Sequence, residues 1–294
     1  MALDELRDLL VRHVRADEST AIDGFYIAKV ERSGPPAPSM SGVVLAVLVQ
    51  GAKRLVVGDR VYLYRPGDYL VASVDLPVTG HFVDATPQDP ALGLALTLEP
   101  PLIADLLLHA APGDLPRPRA SAVPAIAVGA LTDDLVDSLV RLVRLLERPR
   151  DRAVLAPMVK REILWRLVTG EQGVAVRQLG LADSNLSHIT RAARWIRDHY
   201  AEPFRVEDLA RLTGMSPSGF YRHFQTVTAL SPIQFQKQIR LQQARLLLAS
   251  HPRDITTVAH EVGYDSPSQF SREYRRQYGV PPSEDAGRLL APTP

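Results

Sequence analysis

The chain has 294 residues, 46% hydrophobic and 23% charged, with 34 Lys+Arg against 33 Asp+Glu and a formal net charge of +1. That length holds two ordinary domains with a core each, and the composition is that of a folded chain. The absence of cysteine excludes disulfides, thiolate metal sites and cysteine nucleophiles together. The charge is unevenly placed: His188 to Pro282 carries 13 Lys+Arg against 8 Asp+Glu, leaving 21 against 25 elsewhere. A basic segment beside an acidic one suggests that a single region meets a polyanion. No run of about 18 apolar residues occurs, so no membrane span is expected. The opening "MALDELRDLLVRHVRADE" mixes acids with bases, unlike a signal peptide, and a cytoplasmic location is expected.

Residues 43–100 read as short strands rich in Val, Leu and Tyr, punctuated at Gly51, Gly58-Asp59, Pro66-Gly67-Asp68 and Pro87 to Pro90. Gly58-Asp59-Arg60 falls between two alternating segments and predicts a hairpin turn. Strands at roughly 8–12-residue spacing with no helix between them predict an antiparallel barrel or sandwich. "GDLPRPRAS", Gly113 to Ser121, is a Pro-rich break.

The period then changes to that of a helix. Thr132 is placed to cap a segment that opens with Asp133 and Asp134 and carries Leu135, Leu139, Leu142 and Leu146 in one stripe. That stripe either pairs two subunits or packs on the barrel, and its length of about two heptads does not decide between them. A second helix, "APMVKREILWRLVTG", begins near Pro157 and stops at Gly170. Beyond it the chain reads as helical almost to a loose tail, "LAPTP".

A single pattern occurs twice within this helical region. "SPSGFYRHF", Ser216 to Phe224, returns as "SPSQFSREY", Ser266 to Tyr274, an offset of 50 residues. Each copy follows an apolar residue, Ala four later and Gly four after that: Val206, Ala210, Gly214, then Ile255, Ala259, Gly263. A helix-turn-helix asks for this arrangement. The Ala permits close packing, the Gly ends the first helix in a left-handed conformation, and Ser-Pro caps and opens the second. Phe220, Phe224, Phe270 and Tyr274 then face the core. Ser218, Tyr221, Arg222 and Gln225 face away, with Ser268, Ser271, Arg272 and Arg275 as their counterparts. Arg on the exposed side of such a helix grips guanine O6 and N7, or else a phosphate. "SPIQFQKQIRLQQARLLLAS" joins the two units as one long helix, with Ile233, Ile239, Leu246 and Leu247 supplying apolar contacts. A helix of about 18 residues spans ~27 Å, which sets two recognition helices near one DNA turn apart, so the pattern repeats because the groove does.

These residues resemble the DNA-binding domain of the AraC/XylS family of bacterial transcription regulators. "ARLTGMSPSGFYRHFQ", "QIRLQQARLLL" and "VAHEVGYDSPSQFSREYRRQYGVPP" carry the resemblance, over about Ile189 to Pro282. It implies base contacts from Ser218, Tyr221 and Arg222 in the first unit, and from Pro267, Ser268, Ser271 and Arg272 in the second. Gly219 and Ser218 are small where some members carry larger side chains, so first-site readout leans on Tyr221 and Arg222. "YRPGDYLVASVDLPVTGHFVDATPQDPALGLALTLEP" and "APMVKREILWRLVTGEQG" are similar to the N-terminal domain of a subset of that family. This implies a cupin-like barrel that regulates and dimerises.

The expected fold class is therefore α+β, with a regulatory and dimerisation domain over 1–180 and a DNA-binding domain over 181–294. The first holds a cupin-like antiparallel β-barrel at about 20–112 and helices at about 131–178. The second holds helix-turn-helix units at about 206–226 and 255–278 around a linker helix at about 232–249. The partners implied are double-stranded promoter DNA, a second copy of the chain, a small-molecule effector, and RNA polymerase if the protein activates. Tyr62, Tyr64, Tyr69 and His81 are effector candidates by residue type alone. No cofactor and no catalytic residue is expected. His13, His81 and His109 are isolated, no Gly-x-Ser-x-Gly elbow occurs, and a repair methyltransferase needs a cysteine this chain lacks. The competing readings are a cupin-type metal enzyme and an adaptor with a basic helical domain.

Overall fold

The computed structural model describes residues 2–111, 113–115, 124–181, 184–250 and 254–290. Most of the Pro-rich break and all but Leu290 of the closing "LAPTP" lie outside the described residues. The chain divides into two compact units, Met1–Thr190 with Thr226–Ala229, and Arg191–Gln225 with Leu230–Pro294.

In the first unit, helix α1 (Ala2–His13) precedes strands β1 (Phe25–Val30), β2 (Ala37–Met40), β3 (Val44–Gln50), β4 (Ala52–Val57), β5 (Arg60–Tyr64), β6 (Asp68–Ala72), β7 (Pro77–Val83) and β8 (Ala91–Thr97). Helix α2 (Pro100–His109), strand β9 (Ile126–Ala130) and helices α3 (Asp133–Arg144), α4 (Pro149–Thr169) and α5 (Gly173–Gly180) follow. The strands form two antiparallel sheets, ordered β1-β8-β3-β6-β9 and β2-β7-β4-β5. Strand β9 lies beyond the barrel span read from the sequence and closes one edge of the larger sheet. Gly58-Asp59 forms the expected two-residue hairpin loop: Val57 pairs with Arg60, and Gly58 has φ of 59°.

Alternation decides which side of the five-stranded sheet is apolar. Leu45, Val47, Leu92, Leu94, Leu96, Phe25 and Ile27 are buried in one cluster with Leu6, Leu9 and Leu10 of α1 and with side chains of α3 and α4. The stripe on α3 belongs to this cluster. Leu135, Leu139 and Leu142 are at most 3% exposed, and Leu146 packs against them partly buried. The expectation that this stripe is a pairing surface is corrected: burial against the sheet has used it up. Thr132 caps α3 as read, accepting the Leu135 N–H at 3.3 Å.

Helix α4 corrects a second reading. It starts at Pro149, not near Pro157, and runs 21 residues to a cap at Gly170. Proline at the first helical position needs no N–H partner, so Pro149 starts the helix. Pro157 lies inside the helix at an exposed position. Deeper along α4, the buried Lys160 donates to the Asp23 carbonyl at 2.5 Å and to Glu99 at 3.3 Å. One side chain thus ties α4 to the entry of β1 and the start of α2.

Helix α6 (Asn185–Asp198) leads to the helices of the second unit: α7 (Val206–Thr213), α8 (Pro217–Thr228), α9 (Pro232–Ser250), α10 (Ile255–Glu261), α11 (Pro267–Tyr278) and α12 (Pro282–Leu290). Of the apolar contacts expected from the linker helix α9, Ile239 is buried and Leu247 half-buried, but Ile233 and Leu246 are 43% and 63% exposed. Phe235, Leu241, Ala244 and Leu248 take the core positions instead. They are spaced as one helical face, which Ile233 and Leu246 are not.

Candidate nucleic-acid interface

The two halves of the second unit are built alike. Helix α7 ends on Gly214, at φ of 70°, and Met215 donates back to the Ala210 carbonyl at 2.9 Å. Helix α10 ends one residue before Gly263, at φ of 88°, and Tyr264 donates to the Ala259 carbonyl at 2.9 Å. A left-handed residue closes both turns, so glycine is needed at each. Ala210 and Ala259 are buried where the paired helices meet. The next helix opens on a serine cap in each case. The Ser216 hydroxyl accepts the Gly219 N–H at 3.3 Å, and the Ser266 hydroxyl accepts the Gln269 N–H at 3.3 Å.

The aromatic face of each recognition helix anchors it. Phe220, Phe224, Phe270 and Tyr274 are fully buried. Phe224 meets Phe235 of α9 edge-on at 5.5 Å between centroids, and Phe270 meets Tyr274 at 5.5 Å. With that face fixed, helical geometry sends the remaining side chains to water. Ser218, Tyr221, Arg222 and Gln225 of α8 are exposed, as are Ser268, Arg272 and Arg275 of α11, while Pro267 and Ser271 are half-buried. Arg272 and Arg275 have no ion-pair partner among the described residues. Two cations are thus left facing solvent on the helix face that carries the hydroxyl of Ser268.

Helix α9 holds both halves through a polar set that the sequence reading missed. The Arg240 guanidinium donates to the carbonyls of Tyr200 at 2.6 Å, Ala201 at 3.1 Å and Gly263 at 2.6 Å. Gln236, one turn earlier, donates to the carbonyls of Tyr200 and Glu202 at 3.0 and 2.6 Å. One side chain thereby fastens the segment before α7 and the turn of the second helix pair to the same helix. Burial pulls the Arg240 pKa down. Glu273 of α11 accepts from Lys237 at 2.8 Å, Tyr264 at 2.9 Å and Gln269 at 3.1 Å. The buried Asp285 of α12 accepts from the Tyr274 hydroxyl at 2.7 Å and Arg245 at 3.0 Å. The signal for these residues was a run of polar side chains, "QFQKQIR", on a helix whose neighbours cover most of its surface.

The effector candidates of the first unit do not share a site. Lys53 pairs with both Tyr64 and Phe82, and Leu55 pairs with Tyr62. Those residues therefore share one face of the smaller sheet. His81 pairs with Arg54 and takes the opposite face. Tyr69 lies on the larger sheet in the cluster under the helices, its hydroxyl close to Gly129. The set reads as a correction: only Tyr62 and Tyr64 remain together. The residue they meet is Lys53, whose ammonium stands 4.9 Å from the Phe82 ring centroid. Loss of hydration lowers its pKa, opposed by the charge of Glu18. The Glu18 carbonyl accepts the Ile27 N–H of β1 at 2.9 Å, so this face looks toward the larger sheet. That sheet presents Ala28, Ala46 and Ala95 there, all partly exposed although β8 and β3 are inner strands. Water therefore reaches between the sheets.

Among the described residues, no group of three or more His, Cys, Asp or Glu is arranged to hold a metal ion. No helix among them is long and apolar enough to cross a membrane.

Sheets packed with helices in one unit and paired helix-turn-helix elements in the other define a two-part protein of α+β class. Residues 21–175 match the family described as the AraC-type transcriptional regulator N-terminus, and residues 209–288 match a helix-turn-helix domain family. The chain belongs to the AraC-type transcriptional regulators. It is similar to the virulence regulon transcriptional activator VirF of Yersinia enterocolitica, 29% identical over 163 residues, 54% of this chain and 58% of that protein. The matched region is thus little more than half of either protein. The fold resembles that of apo ToxT from Vibrio cholerae, with a TM-score of 0.56 and 10% identity over 92% of this chain and 100% of that one. It also resembles ToxT solved with an unsaturated fatty acid, with a TM-score of 0.52 and 11% identity over 89% and 94% of the chains.

Proposed function

We infer that this chain is a sequence-specific regulator of transcription that reads two successive major-groove segments of double-stranded promoter DNA. The observation that carries the reading is the duplicated capped helix pair on one clamped linker. Both recognition helices bury their aromatic face and expose their polar one, and Arg240 ties the segment before α7 and the turn before α11 to α9. In this reading Tyr221 and Arg222 read one segment beside Ser218 and Gln225. Arg272 and Arg275 read the next beside Pro267, Ser268 and Ser271. The 19 residues of α9 extend about 28 Å at 1.5 Å per residue, the scale of one DNA turn. The name of VirF as a transcriptional activator supports the reading. A cytoplasmic homodimer that contacts RNA polymerase when it activates completes it, with pairing by a surface other than the buried α3 stripe.

The test is selection of bound sequences from random duplex DNA by the full-length protein. Recovery of two short elements about 10–11 base pairs apart supports two-groove reading. Binding that falls with salt yet shows no sequence preference turns the reading toward an adaptor or a sequence-blind DNA binder.

An effector enters the same proposal through the space between the sheets, where Lys53, Tyr62 and Phe82 face small alanines. A lysine without a carboxylate within 4 Å among the described residues, in a site open to water, suits an anion. ToxT bound to a fatty acid supports a small acid as effector. Binding to Lys53 requires the charged ammonium, so affinity falls as pH rises through its lowered pKa, below the ordinary 10.5. Titration calorimetry across that range, with Lys53→Gln as the pH-insensitive control, checks it.

A further inference from the structure

Away from both of these regions, the first unit carries a groove of about 500 Å³ between α3 and α4. Its floor is apolar, made of Leu145, Leu155, Met158 and Val159. Its wall is a row of arginines, Arg141, Arg144 and Arg148, and Glu162 stands at one end. The row follows from the way α3 is used. The inward positions of that helix are taken by the core, so Arg141 and Arg144, three residues apart, share its outer side, and Arg148 follows as the residue before α4.

Two observations separate this groove from an ordinary solvated helix pair. The first is apolar surface: Val154 is 66% exposed, Leu155 39% and Met158 63%, neighbours on one stretch of α4. Single exposed apolar residues are common, but a contiguous group beside a concavity marks a binding surface. The second is unmatched charge. Arg141 is matched by Glu162 at 2.5 Å and Arg144 by Glu5. Arg148 has no carboxylate within 4 Å among the described residues.

We propose that this groove binds a small amphiphilic anion, with a carboxylate held at Arg148 and an apolar body laid over Leu155 and Met158. The volume lies in the range of small-molecule sites, about 300–1,000 Å³. Charge argues against a second copy of the chain as occupant. This face carries Arg141, Arg144, Arg148, Arg150 and Arg152 against Glu147, Asp151 and Glu162, and a two-fold contact presents the same net-positive surface from both sides. An anion gains from the same field. Arginine also presents a planar fork that fits both oxygens of a carboxylate.

The experiment is titration calorimetry of the full chain with 4-phenylbutyrate, its neutral amide and inorganic phosphate as probes. The carboxylate is expected to bind at an Arg148-dependent site, with the amide weaker by about tenfold or more and phosphate silent at the same concentration. Arg148→Gln and Met158→Glu, both at exposed positions, are expected to weaken the carboxylate by about tenfold. Arg150→Gln, outside the groove, is expected to change nothing. Loss in Lys53→Gln with retention in Arg148→Gln overturns the proposal and moves the ligand to the cleft between the sheets. Equal binding of acid and amide overturns it, as does the absence of binding. A dimer by sedimentation that Met158→Glu makes monomeric also overturns it, because a second copy then fills the groove. None of these readouts involves DNA, so they stand or fall apart from the DNA-reading proposal.

Discussion

The two helix-turn-helix halves share a backbone plan but not a core chemistry. The first is fastened by hydrocarbon rings, Phe220 to Phe224 at 5.5 Å and Phe224 to Phe235 at 5.5 Å. The second places Tyr274 where the first has Phe224 and hangs carboxylates on tyrosine hydroxyls: Tyr264 on the half-buried Glu273 and Tyr274 on the buried Asp285. Arg245 adds an ion pair to Asp285 at 3.0 Å and lies 4.9 Å from the Tyr278 ring centroid. Ring packing is tolerant of small shifts, whereas a buried carboxylate fixes the donors around it and is costly to leave unmatched. The same recognition device is therefore held loosely in direction at one site and tightly at the other.

Removing Asp285 breaks that contrast most severely. Asp285→Ala leaves a buried hydroxyl and a half-buried guanidinium without their acceptor, at a cost of about 3–5 kcal/mol. Urea unfolding read at Trp195, in a Trp165→Phe background that silences the first unit, measures it. The hydrocarbon counterpart, Phe224→Ala, costs about 3–5 kcal/mol through a cavity. Its loss should be independent of pH. If Tyr274→Phe is as harmless as a hydrocarbon swap, the polar core is not what holds the second half.

The turn glycines sharpen the comparison next. Gly214→Ala adds only left-handed strain, about 1–2 kcal/mol, because nothing lies within 4 Å of the added methyl. Gly263→Ala meets the Ala201 carbonyl oxygen at 2.2 Å and also displaces the segment that Arg240 grips. The second substitution should cost clearly more than the first in the same unfolding assay. Equal costs would mean that the 200–202 segment yields freely. On DNA, Arg222→Ala and Arg272→Ala should each cost about 1–3 kcal/mol on the selected site, with relaxed base choice at the contacted position. Uniform loss on all sequences would make them phosphate contacts only.

Acid tests the second half through Glu273. Burial alone raises the Glu273 pKa, but hydrogen bonds from Lys237, Gln269 and Tyr264 more than offset this and hold it below the ordinary 4.5. A carboxyl whose folded pKa is lowered contributes stability that is present above its unfolded value and lost as pH falls through the folded one. The urea midpoint of the second unit should fall below pH 4.5, and Glu273→Gln should flatten that fall while lowering the midpoint at neutral pH. No fall in the parent would show that the Glu273 network adds nothing to the fold.

What the sequence made legible follows from which signals are local. The capped, glycine-closed helix pairs were readable because Ser216, Ser266, Gly214 and Gly263 act on their own neighbours within four residues. The α3 stripe was visible as a stripe, but its destination depends on a sheet whose partners come from residues 25–97 and 126–130, a non-local fact. Tyr62, Tyr64 and His81 were grouped by type. Strand parity and pairing, which decide that His81 turns away, needed the register. Arg240 and Asp285 were missed because a buried polar residue on a helix looks, in sequence, like a solvated one until the carbonyls and hydroxyls around it are in place.

The smallest expected effects test whether the helix starts are as alike as their geometry. Ser216→Ala and Ser266→Ala each remove one cap bond of 3.3 Å and should cost about 1 kcal/mol each. The first half has one further term. Gly219 lies within the helix, where Ala is favoured by roughly 0.5–1 kcal/mol, but a methyl there falls 2.9 Å from the Ser216 hydroxyl. Gly219→Ala alone should therefore be near neutral, its helix gain offset by a disturbed cap. In the Ser216→Ala background the obstruction is gone, and the same change should recover about 0.5–1 kcal/mol. That non-additivity has no counterpart in the second half, where Gln269 stands at the equivalent position. A strictly additive result would mean that the cap hydroxyl moves aside at no cost. The glycine in α8 would then leave the cap undisturbed, and the two helix starts would be energetically the same.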